Sequence, residues 1–165
     1  MAIVVAFLLI LGPSYLLACS KGCVGGECGT CTGKTEYGED FEKDPKTLSS
    51  AAITTASLIA LIKSKVPLTI LDCRSGGCVD GKVIPGAKGF TDKTTDEEVK
   101  TLLPSKDLLI ITYDGNPKCC ARAEVSERLK KLGYSNLVDY PPGIRGWIAA
   151  GNQPEVIPVP AKKVN

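Results

Sequence analysis

Between residues 48 and 152, short apolar runs alternate with segments in which apolar residues follow helical spacing. The apolar runs predict strands over residues 66–71, 108–113 and 137–140, with a further short strand after the turn at residues 84–87. Within these runs the apolar residues are mostly consecutive, which is typical of strands buried on both faces of a parallel sheet. The sequence therefore predicts one α/β domain with a central parallel sheet.

Helical spacing predicts four helices, which begin after Thr54 and span residues 96–103, 121–132 and 144–150. Thr54 is a suitable N-cap, and glycines at 133 and 151 end the last two helices. Because strands and helices alternate, we expect helices on both faces of the sheet and ligand sites at the carboxyl ends of its strands.

The chain before this domain has two parts. Residues 1–18 are uncharged and mostly apolar, short for a membrane span and suited to a signal segment. They end in Leu16-Leu17-Ala18-Cys19, which resembles a bacterial lipoprotein cleavage box, although no Lys or Arg precedes the apolar run. The resemblance implies a lipid on Cys19 and a membrane-anchored protein of the cell envelope or periplasm; the alternative is a buried or membrane helix.

Residues 19–47 form a glycine- and cysteine-rich tether without periodicity. Cys23, Cys28 and Cys31 lie close together in it, and they suit either a disulfide or a soft-metal site. At the other end, residues 153–165 contain three prolines and are expected to be a flexible tail.

The amino-acid composition excludes some classes of function. The 165 residues contain no histidine, which excludes Ser/His/Asp and Cys/His catalysis within the chain. The net charge is +2 and the basic residues are scattered, so we expect no nucleic-acid partner. We also expect no cofactor, no metal at the main site, and a monomer.

The loop after the strand 108–113 is the main candidate site. A strand, a tight loop and a helix in this order direct several backbone N–H groups to one point, which suits an anion or a thiolate. The loop begins with an aspartate and ends with two adjacent cysteines; its residues are Asp114, Gly115, Asn116, Pro117, Lys118, Cys119 and Cys120.

Two flanking motifs resemble those of the rhodanese family. Asp72-Cys73-Arg74 followed by Ile84-Pro85-Gly86-Ala87 is similar to the first signature, and Pro142-Gly143-Ile144-Arg145-Gly146-Trp147 to the second. The resemblance covers residues 48–152 and implies a single rhodanese-like domain. It also implies a sulfurtransferase, in which a cysteine directly after the central strand carries sulfane sulfur as a persulfide.

At the position of that cysteine the chain has Asp114. A carboxylate cannot form a persulfide, and it should accept the N–H bonds of the loop itself and be stabilised as the anion. We therefore expect the usual thiosulfate:cyanide activity to be lost or altered, which leaves open whether the protein is an enzyme.

Cys119 and Cys120 are the candidate replacement thiols. The helix N-terminus, Lys118 and Arg122 would favour a thiolate there, and Asp114 would oppose it. Alternatively, the pair and the two cysteines at positions 73 and 78 are structural disulfides, or the pair binds a soft metalloid.

Three functions remain open. The first is sulfur handling or thiol redox chemistry in the cell envelope, with a sulfane-sulfur donor and a thiol acceptor. The second is a catalytically silent module that binds an envelope protein, and the third is metal binding by the tether. In each, Asp72 and Arg74 are expected to form a charge-assisted pair that supports their loop, and Trp147 to anchor the core.

Overall fold

The computed structural model describes residues 51–116, 119 and 121–159. The expected signal segment, Cys19 and the tether lie outside this part of the chain, as do Pro117, Lys118, Cys120 and residues 160–165. The described elements, in chain order, are β1 Ala51–Ala52, α1 Thr55–Lys63, β2 Leu68–Asp72, a 3-10 helix Gly76–Cys78, β3 Lys82–Val83, β4 Lys88–Gly89, α2 Asp96–Leu102, β5 Leu109–Tyr113, α3 Ala121–Lys131, β6 Leu137–Tyr140, α4 Gly143–Ala149 and β7 Glu155–Val156.

Five strands form one sheet in the order β1-β6-β5-β2-β4, and every neighbouring pair in it is parallel. The central strand, β5, pairs with β2 and β6. Its Tyr113 lies opposite both Asp72 of β2 and Tyr140 of β6. The carboxyl ends of three strands therefore meet at one edge of the sheet, as the sequence predicts.

Helices cover both faces of the sheet. On one face, the buried cluster includes Val99 of α2 and Leu129 of α3; on the other, it includes Leu58 of α1 and Trp147 of α4. Successive residues of β5 point to opposite faces, so that Ile110 belongs to the first cluster and Ile111 to the second. The apolar run is continuous because both faces are buried, and the predicted α/β fold class is confirmed.

Local signals determine where the helices begin and end. The Thr54 hydroxyl accepts a hydrogen bond from the Ser57 N–H and caps α1, while Thr95 and Glu98 form a capping box on α2. Gly133 follows α3 with φ +87°, a left-handed conformation that ends the helix. The four predicted helices are present with ends shifted by one residue at most. Among the described helices, none is long and apolar enough to cross a membrane.

The expectation of a flexible tail from residue 153 is wrong for Glu155–Val156. These residues form β7, which pairs antiparallel with β3. The Glu155 carboxylate also accepts a hydrogen bond from the Gly86 N–H at 2.8 Å, and the Ile157 N–H donates to the Gly81 carbonyl at 2.8 Å. A two-residue strand carries no periodicity in the sequence, so only its partner strand reveals it.

Candidate functional site

Asp114 is the first residue after β5, and its side chain is completely buried. It forms an ion pair with Arg122 in the first turn of α3. The Arg122 Nη1 donates to Oδ1 and Oδ2 of Asp114 at 3.3 and 3.1 Å, and the Arg122 backbone N–H donates to Oδ2 at 3.3 Å. The strand–loop–helix order thus places one carboxylate and one guanidinium, both inaccessible to solvent, at the start of the candidate loop.

Cys119 closes this arrangement from the other end of the loop. Its backbone N–H donates to the Asn116 carbonyl at 3.1 Å, and its own carbonyl accepts from the Arg122 Nη1 at 3.0 Å. The Cys119 thiol is outside any disulfide and hydrogen bonds to the Asp114 side chain. Asp114, Cys119 and Arg122 are therefore in mutual contact, in a loop where the residue Cys119 is 8% exposed.

The protonation of Asp114 differs from the sequence expectation. Burial raises the pKa of the Asp114 carboxyl well above its usual range, although the Arg122 guanidinium opposes this shift. The expected stabilisation of the anion therefore does not outweigh its desolvation. A carboxyl group with a raised pKa can take up a proton nearer to neutral pH than an exposed aspartate can.

The start of α4 supports the loop from the neighbouring strand. The Ile144 and Arg145 N–H groups donate to the carbonyls of Asp114 and Gly115, at 3.0 and 3.4 Å. Gly143 has φ +61°, and a Cβ there would collide with the Asp114 carbonyl oxygen. Glycine is needed at this position for both conformation and space, because helix and loop are in direct contact.

Asp72 and Arg74 form a second buried ion pair, after β2. The Arg74 Nη2 and Nε donate to the Asp72 carboxylate at 2.7 and 2.9 Å. The same guanidinium donates to the Asp80 carboxylate and to the carbonyls of Cys78 and Lys82. Although burial alone would lower it, the hydrogen bond and charge of Asp72 raise the pKa of Arg74. One guanidinium thus organises residues 72–82.

Tyr113 lies between the two ion pairs. Its hydroxyl donates to Oδ2 of Asp72 at 2.9 Å and accepts from the Ile84 N–H at 3.2 Å, while the next residue in the chain is Asp114. Burial and the neighbouring Asp72 carboxylate raise the pKa of Tyr113, which keeps this hydroxyl protonated as a donor.

The other described cysteines correct the alternative of structural disulfides in part. Cys73 is a buried thiol outside any disulfide; burial, followed by the charges of Asp114, Asp72 and Asp139, raises its pKa. Cys78 is disulfide-bonded, and neither Cys73 nor Cys119 is its partner. Cys73, Cys78 and Cys119 are all buried. The alternative of structural disulfides is wrong for Cys73 and Cys119.

A buried polar cluster beside the site is missing from the sequence-based prediction. Oδ1 of Asp139 on β6 accepts hydrogen bonds from the hydroxyls of Thr112 and Ser126, at 2.6 and 2.9 Å. The sequence signal is a polar residue inside each apolar strand. The register of β5 and β6 places Thr112 opposite Asp139, which brings their side chains into contact. Among the described residues, no group of three or more Cys, Asp or Glu side chains is placed to hold a metal ion.

Comparison with known proteins identifies the family. The model of the rhodanese-like domain family matches residues 54–150, which is more than half of the chain. The chain belongs to the rhodanese-like domain family. This confirms the family-level resemblance of the motifs at residues 72–74, 84–87 and 142–147. Among curated proteins no match is found.

Several solved structures share the fold. The BH2092 protein from Bacillus halodurans is 24% identical, with a TM-score of 0.57 over 65% of this chain and 77% of that one. The rhodanese-like domain of the Alr3790 protein from Anabaena is 20% identical, with a TM-score of 0.56 over 70% and 90% of the two chains. Thiosulfate sulfurtransferase from Pseudomonas aeruginosa is 21% identical, with a TM-score of 0.52 over 65% of this chain but only 20% of its own. At these identities the similarity establishes the fold alone.

Proposed function

We propose that this rhodanese-like domain handles sulfane sulfur or exchanges thiols through Cys119, and that Asp114 has replaced the persulfide-forming cysteine of the family. The observation that carries the proposal is the thiol of Cys119, which is outside any disulfide and hydrogen bonds to Asp114 within the loop after β5. Cys120, the next residue, is included in the proposal as a second thiol of the same loop.

The arrangement argues against the ordinary reaction at the first loop position. A carboxylate has no sulfur with which to hold a sulfane atom. The Asp114 carboxylate also fills the space beside Arg122 with its own negative charge. Thiosulfate, a dianion, would have to approach this charge in a buried environment with little screening. We therefore propose that thiosulfate:cyanide transfer is lost or strongly reduced.

Sulfane uptake is the test of this function. The reduced full chain is incubated with an organic persulfide, with polysulfide and with thiosulfate, and its intact mass is measured. We expect a gain of one sulfur atom from the persulfide or polysulfide, lost in Cys119→Ser and retained in Cys73→Ser, whose thiol is buried in the core. Cys120→Ser measures the share of the second loop thiol. If no donor adds sulfur to the wild type, the proposal is wrong.

A silent binding module is the second candidate, and the complete burial of the Asp114–Arg122 pair favours it. In this alternative the ion pair replaces a substrate and the surface binds an envelope protein. Restoring the thiol with Asp114→Cys should then produce thiosulfate sulfurtransferase activity. A folded but inactive Asp114→Cys variant would mean that the loop as a whole has diverged.

The place of action remains part of the proposal. The apolar segment 1–18 and Cys19 support a lipid-anchored protein of the cell envelope. Metabolic labelling with a fatty-acid analogue in a bacterial host, with Cys19→Ser as control, tests the anchor.

Soft-metal binding by the tether cysteines is tested by titrating a peptide of residues 20–35; affinity no greater than that of a simple dithiol would remove this function.

A further inference from the structure

One guanidinium group brings the carboxylate and the cysteine of the loop together. The Arg122 Nη1 lies 3.1 Å from Oδ2 of Asp114 and 3.0 Å from the Cys119 carbonyl oxygen. Since Arg122 also donates its backbone N–H to Asp114, the carboxylate is fixed in position next to the thiol with which it hydrogen bonds.

The neighbouring buried carboxylates have other partners. Asp72 accepts hydrogen bonds from Arg74 and Tyr113, and Asp139 accepts them from two hydroxyls of the polar cluster described above. The chain contains no histidine that could act as a base. Among the described residues, Asp114 is therefore the carboxylate placed to receive a proton from Cys119.

We propose that Asp114 is the proton acceptor for the Cys119 thiol, and that its charge restricts the site to sulfur electrophiles of low negative charge. This inference rests on the proposed function, in which Cys119 is the nucleophile. It assigns to the aspartate a catalytic role rather than that of a plug, and it assigns to Arg122 the role of a positioning residue. It also names the substrate class, an organic persulfide in preference to thiosulfate.

The chemistry of such a step balances without a further reactant. As the Cys119 Sγ bonds to the terminal sulfur of a persulfide RS–SH, its proton moves to a carboxylate oxygen of Asp114. The S–S bond of the donor breaks, its electron pair leaves with RS⁻, and RS⁻ takes the proton from Asp114. The products are Cys119–S–SH and RSH.

Precedent and environment both support proton transfer to this carboxylate. Aspartate accepts the proton of an alcohol in protein kinases, and an alcohol is less acidic than a thiol. Burial, which raises the pKa of the Asp114 carboxyl, brings its proton affinity closer to that of a thiol. Because Asp114 is completely buried, its charge is poorly screened and opposes anionic donors.

Alkylation of Cys119 tests the inference without any sulfur donor. The full chain is treated at pH 7 with neutral iodoacetamide or anionic iodoacetate, and the Cys119 peptide is quantified by mass spectrometry. We expect Asp114→Asn to react with iodoacetamide about 100-fold more slowly than wild type, the low end of the range for loss of a general base. The preference for iodoacetamide over iodoacetate should fall in the same variant.

The matched control is Asp139→Asn, which alters a buried carboxylate on the adjacent strand and should leave both rates within about twofold of wild type. An Asp114→Asn rate equal to or faster than wild type would overturn the inference, because the carboxylate would then only repel a thiolate.

Wild type alone provides a second measurement if Asp114→Asn does not fold. Proton transfer to Asp114 predicts an iodoacetamide rate that levels off once the Asp114 carboxyl, whose pKa is raised, is ionised, and that does not follow the ionisation of an ordinary thiol with a pKa of about 8.5. A rate that keeps rising tenfold per pH unit up to the pKa of an ordinary thiol would overturn the inference.

Failure of the inference and failure of the proposed function are distinguishable. Sulfur uptake at Cys119 with alkylation rates unchanged in Asp114→Asn would retain the function and remove the role of the aspartate. The expected alkylation pattern without sulfur uptake from any donor would retain the proton acceptor and remove sulfur handling as its purpose.

Discussion

The domain contains two buried aspartate–arginine pairs at the same edge of its sheet, and they differ in the groups that surround the aspartate. Arg74 donates to two carboxylates and two carbonyl groups, and it fixes the loop that follows β2. Arg122 donates hydrogen bonds to the Asp114 carboxylate and to the Cys119 carbonyl, and the Cys119 thiol also hydrogen bonds to the Asp114 carboxylate. The first pair is a structural support, whereas the second includes a group that can react.

This difference shows why an ion pair has to be judged by its surroundings. A buried pair is costly to desolvate, and its value depends on the hydrogen bonds around it. The Asp72 carboxylate accepts from a guanidinium and a phenol and belongs to a network of many partners. Asp114 sits in a buried position where desolvation outweighs its cation, so that its pKa is raised. We therefore expect the second pair to contribute less than the first to the free energy of unfolding.

The largest expected effect is the loss of the first pair. Arg74→Met leaves Asp72 buried without its cation and removes the donors to two carbonyl groups, so unfolding should become easier by about 3–5 kcal/mol. Denaturant unfolding measures this. Arg145→Met, at an exposed arginine, is the control and should change stability by less than about 0.5 kcal/mol. A cost below about 1 kcal/mol for Arg74→Met would contradict the structural role.

Loss of the second pair should lower the free energy of unfolding by less than loss of the first, and the size of this effect should depend on pH. Arg122→Met leaves Asp114 with a pKa raised further above its unfolded value of about 3.9, so the native protein binds a proton where the unfolded chain does not. Its stability therefore rises as pH falls. We expect the free energy of unfolding to fall by about 3 kcal/mol at pH 7, the low end for a broken buried pair, and by less at pH 5, as measured by urea unfolding. A cost that grows on acidification would break the comparison.

A substitution at Gly143 should lower stability through the loop after β5 alone. Gly143→Ala introduces a Cβ against the Asp114 carbonyl in a left-handed conformation, at a cost of about 2 kcal/mol. Gly86→Ala is the matched control, since Gly86 has a similar positive φ of +76° but open space around it. Thermal unfolding of both variants separates the collision from the conformational strain. Equal losses would mean that contact between α4 and the loop contributes nothing.

The smallest expected effect lies between the two pairs. Tyr113→Phe removes the hydroxyl that joins Asp72 to the Ile84 N–H, and should cost about 1 kcal/mol. Because the loop after β5 is held by α3 and α4, the alkylation rate of Cys119 should stay unchanged. A large change in that rate would show that the two ion pairs are coupled rather than independent.

The fold follows from the sequence because its signals are local and repeated. Apolar runs, the caps at Thr54 and Thr95, and the glycine after α3 each specify one element, and alternation of elements specifies the parallel sheet. The short pairings escape prediction. β1, β3 and β7 have two residues each, which is too few for any period, and they exist only through their partner strands.

The sequence predicts which loop forms the site, but it does not predict which side chains of the loop contact one another. The position of Asp114 after a strand and that of Cys119 before a helix are visible in the sequence. The ion pair of Asp114 with Arg122 requires the turn of α3 onto the loop, and burial of the pair requires the whole core. The direction of the Asp114 pKa depends on this burial, which explains why expecting a stabilised anion from residue types alone is wrong.

The pairing of β3 with β7 bears on where the folding unit ends. The match to the family model stops at residue 150, before β7 begins. A chain shortened to that limit would lose the antiparallel pairing of β3 with β7 and the hydrogen bond from the Gly86 N–H to the Glu155 carboxylate. Residues 155–157 hold the segment from Gly81 to Gly86 through these contacts, so the smallest stable fragment of the protein should extend beyond the match to the family model.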